Sequence, residues 1–215
     1  LANLTSIVWL YRGQNERFLG LVGTYLARTL AEAKSSKEQV GRFIAGLDEL
    51  VGKIPEVDEE TKSAFELLGQ DINAFENSVD AEAKAWETAE KDSAGLKASA
   101  KKLEPLAETS RDLIKQIDQL YKFVEKQSKE SGEKGLNRPV KELDEQRKEA
   151  VEQLKRIRYF FKQAHWLQER FPDAELCDVE GLVKLVDVEE IKANNWSLTP
   201  GRYVGVIPEK EDEDF

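Results

Sequence analysis

The sequence is poor in the residues that build metal and redox sites. It contains no methionine, one cysteine and one histidine among 215 residues. A single cysteine, Cys177, excludes a disulfide within the chain and is typical of a reducing compartment. Protein zinc sites draw on several Cys and His side chains, so this composition predicts no zinc site built by the chain.

Long apolar runs are also missing. No segment approaches the roughly 20 apolar residues that a membrane-spanning helix needs. The N-terminus has no basic stretch followed by an apolar core, which a signal peptide would show. We therefore expect a cytoplasmic protein without membrane contact. Because the chain begins at Leu1 and contains no Met, we also expect a fragment or a processed chain.

Catalytic motifs are absent as well. The chain has no glycine-rich phosphate loop, no GxGxxG, no serine nucleophile elbow, no CxxC and no HExxH. His165, beside Trp166 in the last turns of a predicted helix, is expected to be a packing or surface residue. Carboxylates are abundant, but nearly all fall on faces predicted to be exposed. The sequence thus predicts no catalytic, cofactor-binding or metal-ligating residue in this chain.

Charge is what the sequence has in excess. Charged residues make up 34% of the chain, against about 25% in an average globular domain, which favours long helices with much solvated surface. The net charge of −10 disfavours binding of nucleic acid by the whole surface. One local cluster is basic and predicts either phosphate or acidic-partner contact, or an ordinary solvated face: Lys155, Arg156, Arg158 and Lys162, with Arg170 further along.

The first 54 residues predict helix. Apolar spacing indicates one helix over residues 3–34, capped by Asn3 or Thr5, with its regularity interrupted by Trp9 and Arg12-Gly13-Gln14, and a second stretch over 40–54. Glycine destabilises a helix interior by about 1 kcal/mol relative to alanine. This stretch contains three glycines, Gly13, Gly20 and Gly23, which are tolerable where another backbone packs closely. Pro55 and the acidic run at 58–60 mark the end of one helix and the start of the next.

Residues 55–172 predict long antiparallel helices. Apolar residues over 58–92 alternate at spacings of three and four, the seam of a coiled coil. A break at 92–95 leads to helices over 95–127 and 139–169, and Pro105 marks a first turn or a kink. The polar stretch 128–138 between them predicts a mobile hairpin tip. Either the seam residues pack within the chain, or part of the seam receives helices from a partner.

From residue 173 onward the pattern changes. Residues 181–186 predict a strand. Asp187 is expected to cap a brief helix over 188–194, and residues 209–214 predict an acidic tail. Between them lies an extended segment in which Pro200-Gly201 predicts a turn that presents Arg202 and Tyr203 together. Trp196 and Tyr203 are expected to anchor this segment either on the helical base or on a catalytic domain outside this chain, in which case the segment should be among the more exposed apolar surfaces; Arg202 is expected to form an ion pair or cap a backbone carbonyl. The candidate docking residues are Trp196, Ser197, Leu198, Thr199, Pro200, Gly201, Arg202 and Tyr203. The fold class expected overall is all-α: a helical hairpin or bundle with coiled-coil-like seams, plus a short extended C-terminal segment.

Three stretches of the sequence resemble the C-terminal part of the modification subunit of type I restriction–modification systems. They are Ala2 to Gln14 (ANLTSIVWLYRGQ), Arg111 to Lys122 (RDLIKQIDQLYK), and the pair His165 to Pro172 (HWLQERFP) with Trp196 to Gly205 (WSLTPGRYVG). Leu-Thr-Pro-Gly-Arg-Tyr-Val is the most specific of these blocks. The family consists of adenine-N6 DNA methyltransferases that use S-adenosylmethionine.

The resemblance implies a non-catalytic region. The family's cofactor-binding glycine motif and its Asn-Pro-Pro-Phe/Tyr tetrapeptide have no counterpart here, so no catalytic residue is carried over. The implied organisation is residues 1–54 continuing from a missing catalytic domain, 55–172 as the hairpin or bundle, and 173–215 as the extended segment. The implied partners are the specificity subunit, the restriction subunit and, through the complex, DNA, with S-adenosylmethionine bound elsewhere in the parent protein. The alternative is a stand-alone helical adaptor or scaffold protein.

Overall fold

The computed structural model describes residues 1–205, and the regular elements of this part of the chain are all helices, with no strand. The all-α prediction is therefore confirmed. The four long helices run about 45 to 57 Å at 1.5 Å per residue. The elements in order are α1 (Ala2–Tyr11), α2 (Asn15–Val51), α3 (Glu59–Thr88), α4 (Ser93–Glu130), α5 (Asn137–Arg170), α6 (Val188–Ala193) and a 3₁₀ turn at Pro200–Arg202.

The four long helices form an antiparallel bundle. The α2–α5 pair has the most extensive contact, and its direction follows from two cross-helix contacts: Gln153 bonds Glu32, while Phe171 packs against Phe18. Helices α3 and α5 both pack on α2 and α4, and they flank that pair from opposite sides.

The two ends of the bundle differ. At one end, here called the base, α5 ends and α2 and α4 begin, and this end also carries α1 and residues 173–205. Ser93 at the start of α4, for example, bonds the carbonyl of Pro172, just past α5. The opposite end carries the α2–α3 and α4–α5 connections. Both regions that resemble the family's terminal motifs therefore lie at the base.

The core is a single cluster that follows the helix seams. On α3 the predicted coiled-coil seam supplies Leu68, Phe75 and Val79, all under 5% exposed. On α4 and α5 the buried seam residues include Leu103, Leu113, Ile117, Leu120, Val124, Leu143, Leu154 and Ile157. The seam is thus occupied by the chain's own helices, which favours the first of the two interpretations left open by the sequence.

The N-terminal region departs from the prediction. The single helix expected over 3–34 is interrupted at residues 12–14, where Gly13 adopts φ of +68°, and α2 then continues without a break through 35–39 to Val51. Leu1 takes the N-cap position, so the predicted cap at Asn3 or Thr5 is wrong. The Asn3 side chain instead donates to Gln163 Oε1 at 2.9 Å and accepts from the Tyr25 hydroxyl at 3.0 Å.

The later helix boundaries follow local sequence signals. Asp58 and Asp92 begin α3 and α4, and each accepts a backbone N–H bond of 2.7 Å from the third residue beyond it. The α4–α5 connection is shorter than the predicted tip, because the helices extend to Glu130 and resume at Asn137. Pro105 lies inside α4 rather than in its first turn.

The strand predicted over 181–186 is wrong. This stretch forms one antiparallel bridge, Val179 with Val183, in place of a strand. Its β-branched residues have no neighbouring strand to pair with in the described part of the chain. The brief helix is confirmed: Asp187 caps α6 through a 2.8 Å bond from the Glu190 backbone N–H. Val206 and the acidic tail at 209–214 lie outside the described residues.

Candidate functional site

The C-terminal segment with the family-like motif folds into a compact loop at the base. The Tyr203 hydroxyl donates to the carbonyl of Ser197, and Pro200–Arg202 forms a 3₁₀ turn. The predicted turn is therefore present, but the left-handed backbone lies at Asn195 and Trp196, with φ of +55° and +59°, rather than at Gly201. Ser197 and Thr199 bond each other through their hydroxyls at 3.2 Å.

This loop leaves its largest apolar side chains in solvent. Trp196 is 64% exposed and Leu198 75% exposed, so Trp196 does not pack on the bundle, which was one of the two anchoring sites expected for it, and the segment is among the more exposed apolar surfaces of the described chain. Tyr203 is half-buried and closes the loop internally. The Arg202 guanidinium lies 3.5 Å from the carbonyl of Asn194 at the end of α6, which matches its predicted role on a backbone carbonyl.

Helix α1 carries a second exposed apolar surface. Its inner face buries Ser6 and Leu10, whereas Leu4, Val8 and Tyr11 are 54%, 44% and 75% exposed. The outer positions are spaced by four and three residues, so they form one stripe along the helix. A helix that is apolar on both faces is normally covered on both. Sequence reasoning missed this stripe, although the near-absence of polar residues between Leu4 and Tyr11 signals it.

We name these two regions together the base surface: Leu4, Val8, Tyr11, Trp196 and Leu198. The long helices expose little of this kind, since Leu67 on α3 and Tyr159 on α5 are their only large apolar side chains among the exposed described residues. Exposed apolar side chains are thus concentrated at one end of the molecule. Such concentration marks an interaction surface more often than scattered single residues do.

The basic cluster on α5 is divided by the helix geometry. Lys155, Arg158 and Lys162 lie on one face and line a groove against α4 with a volume of about 440 Å³. Arg156 points toward α2, where it lies 3.9 Å from the carboxylate of Glu32. That carboxylate also accepts from Gln153 Nε2 at 2.8 Å inside the α2–α5 interface. Arg156 therefore faces α2 rather than the groove, with its side chain largely exposed.

Helix α4 contributes two further cations to this groove, Arg111 and Lys115. Sequence reasoning missed them because they are distant in the chain from the α5 cluster. The remaining lining residues are Ile114, Asp118 and Tyr159, and Tyr159 is 58% exposed. We name this feature the α4–α5 groove. It brings five cations together around one carboxylate.

The cations of the groove are only partly neutralised. Lys155 pairs with Glu152 at 3.0 Å and Lys115 approaches Asp112 at 3.8 Å. Within residues 1–205, Arg158 and Lys162 form no hydrogen bond or ion pair.

The one groove carboxylate, Asp118, is itself engaged by a cation outside the groove. Arg147 Nη1 lies 2.5 Å from Asp118 Oδ1, and the same guanidinium donates to Asp144 at 2.8 Å. Bonds from Lys148 and then Arg147 hold the pKa of Asp144 below its ordinary value. The groove therefore presents net positive charge.

The acidity of the chain lies elsewhere. Residues 56–92, which contain α3, hold twelve carboxylates and three lysines, a net charge of −9 out of −10. The other described residues, 1–55 and 93–205, sum to +3, and 206–215 add −4. Because α3 and α5 flank the α2–α4 pair on opposite sides, the acidic surface and the α4–α5 groove face away from each other.

Metal-ligating side chains do not cluster in the described part of the chain. No group of three His, Cys, Asp or Glu side chains within residues 1–205 is placed to hold a metal ion. His165 is an exposed surface residue 4.0 Å from Glu169. No helix in this range is long and apolar enough to cross a bilayer.

The chain was also compared with known proteins. No protein-family model, no curated protein and no solved structure matches it.

Proposed function

We propose that this chain is a non-catalytic helical region of a type I DNA adenine-N6 methyltransferase subunit, and that it assembles the subunit with the specificity subunit around DNA. The observation that carries the proposal is the base surface, where exposed apolar side chains of α1 lie at the same end of the bundle as those of the family-like Leu-Thr-Pro-Gly-Arg-Tyr-Val loop. The cofactor S-adenosylmethionine is assigned to another part of the parent protein.

The bundle geometry supports an assembly role over a catalytic one. The helix seams are filled by the chain's own side chains, so the long helices provide a stiff support and the base provides the contact. A stripe at spacings of three and four residues is the pattern with which one helix packs against another. In the related family the specificity subunit offers long helices, which is the complementary shape.

Capture by the specificity subunit tests the proposal. The full chain carrying Leu4→Glu and Val8→Glu should be captured at least tenfold less than the unaltered chain, because two carboxylates would have to be buried in an apolar contact. Leu67→Glu is the matched control: Leu67 is 52% exposed, like Leu4 at 54%, but it lies on α3 away from the base. Thermal unfolding of each variant should stay close to that of the unaltered chain.

Two results would contradict the proposal. One is the absence of any complex between the unaltered chain, in its parent subunit, and the specificity subunit. The other is equal loss of capture with Leu67→Glu, which would show that the base surface is not the contact. Isothermal titration with S-adenosylmethionine provides a separate check, since saturable binding by this chain would place the cofactor site here.

A further inference from the structure

The α4–α5 groove has the charge, shape and side chains of a phosphate-binding site. We propose that it binds the phosphate backbone of duplex DNA. The proposal rests on the proposed function, since a chain that assembles a DNA-modifying complex lies beside duplex DNA. It assigns that contact to a particular groove and to Arg111, Lys115, Lys155, Arg158, Lys162 and Tyr159.

Charge is the first argument. Two of the five cations, Arg158 and Lys162, have no hydrogen bond or ion pair within residues 1–205, although the sequence contains ten more carboxylates than cations. An acidic protein that leaves two neighbouring cations unneutralised in a concave surface has an electrostatic preference for an anion there. Neutralising backbone phosphates releases counterions from DNA, which is the main source of non-specific affinity.

Dimensions are the second argument. Lys155 and Lys162 are seven residues apart, so the row of α5 cations extends about 10 Å along the helix. One strand of a duplex carries a phosphate every 3.4 Å along the axis, so this row spans roughly three phosphates. Arg111 and Lys115 on α4 form the facing wall and add two cations over a shorter length.

The lining favours DNA over an acidic protein segment. The cores of protein–protein contacts are depleted of lysine and enriched in apolar and aromatic side chains. Here three of the eight lining residues are lysines, and Ile114 is the only aliphatic one. Arginine, lysine and tyrosine side chains are typical phosphate contacts, and the Tyr159 side chain is 58% exposed beside the cations.

The position of the acidic surface favours approach of a duplex from the side of the α4–α5 groove. Residues 56–92, with a net charge of −9, lie on the far side of the α2–α4 pair. A duplex would therefore be repelled from the α3 side and attracted to the α4–α5 side. The charge distribution orients the molecule as well as attracting the ligand.

Fluorescence anisotropy with a labelled 20-base-pair duplex tests the proposal, using the full chain between 50 and 300 mM KCl. With five phosphate contacts, the slope of log affinity against log salt should be about −4 to −5. Arg158→Gln with Lys162→Gln should weaken binding roughly 10- to 100-fold at 100 mM salt and make the slope less steep by about 2. Neither side chain bonds another described residue, so both variants should keep their circular dichroism spectrum and Tm.

Lys122→Gln with Lys141→Gln is the matched control. It removes the same charge from α4 and α5 at exposed positions outside the groove, and its affinity should stay within about twofold of that of the unaltered chain. Equal loss in both double variants, or an unchanged slope, would overturn the assignment to the groove. Tighter binding of a single strand or of a polyglutamate peptide than of the duplex would overturn the choice of ligand. Capture by the specificity subunit is measured without DNA. A failure of duplex binding would therefore overturn the groove assignment without changing the outcome of the capture experiment that tests the proposed function.

Discussion

Two glycines at the base lie in opposite surroundings, so replacing each by alanine should change stability in opposite directions. Gly23 lies within α2, where an added Cβ would be 3.7 Å from Leu96 Cδ2, an ordinary van der Waals distance. Glycine in a helix interior costs about 1 kcal/mol relative to alanine. Gly23→Ala should therefore raise the free energy of unfolding by about 1 kcal/mol.

Gly95 has no such room. An added Cβ in the first turn of α4 would lie 2.3 Å from the carbonyl oxygen of Glu90 and 2.8 Å from its carbon. These are backbone atoms, so they cannot rotate aside. Moving them would also disturb the 2.7 Å cap bond from the Gly95 N–H to Asp92. Overpacking typically costs 1–3 kcal/mol and a lost cap about 1 kcal/mol, so Gly95→Ala should lower the free energy of unfolding by about 1–3 kcal/mol after the helix-propensity gain.

Thermal unfolding followed by circular dichroism measures both changes. A difference of 1 kcal/mol shifts Tm by roughly 2–4 °C in a chain of 150–250 residues. Gly23→Ala should therefore melt about 2–4 °C higher than the unaltered chain, and Gly95→Ala about 2–12 °C lower. If Gly95→Ala raised Tm as much as Gly23→Ala does, the close approach of the Glu90 carbonyl to α4 would be refuted.

Two further predictions concern polar contacts. Bonds from the Thr61 backbone and hydroxyl lower the pKa of Asp58, so its contribution to stability is present above about pH 3.9, the ordinary value, and is lost as pH falls through the lowered pKa. Asp58→Asn keeps a good cap but removes the titration, so its difference in urea midpoint from the unaltered chain should shrink between pH 7 and pH 3; a constant difference would contradict this. Gln153→Ala should cost about 1–3 kcal/mol, because Gln153 supplies hydrogen bonds to the buried Glu32. Arg156→Gln should lower the free energy of unfolding by less than about 0.5 kcal/mol, since its guanidinium is largely exposed. Urea unfolding measures both variants, and equal losses for Gln153→Ala and Arg156→Gln would contradict the view that Gln153 is the main partner of Glu32.

Local chemistry explains which elements were predictable from the sequence. Asp58, Asp92 and Asp187 each cap a helix with a bond to a residue three positions on, so the whole signal lies within four residues. The break at Gly13 depends instead on α1 folding against α5, where Asn3 bonds Gln163. The apolar spacing is interrupted at Arg12-Gly13-Gln14, but it does not show that the chain turns there, because that turn depends on a contact across 160 residues.

The candidate site shows the same limit. The sequence places Lys155, Arg156, Arg158 and Lys162 together, but a helix turns 100° per residue, so Arg156 points away from the other three. The other two cations of the groove, Arg111 and Lys115, belong to α4. Only the way in which α4 packs against α5 places them beside the α5 cations. For the C-terminal segment, the turn at Pro200 was readable, whereas the exposure of Trp196 depends on what the bundle leaves uncovered.

The net charge of the chain does not describe the charge of each of its surfaces, for a reason that is spatial. A net charge of −10 disfavours DNA binding only if the carboxylates act where the DNA lies. Residues 56–92 carry a net charge of −9, and α3, which they contain, lies on the opposite side of the α2–α4 pair from α5. Neighbouring helix axes are 8–10 Å apart, so α3 lies one such spacing from the α4 wall of the groove and about two from its α5 wall, and the Debye length at physiological salt is about 8 Å. At the groove the nearby cations therefore outweigh the distant carboxylates, and the total charge of the chain does not determine which ligand that surface attracts.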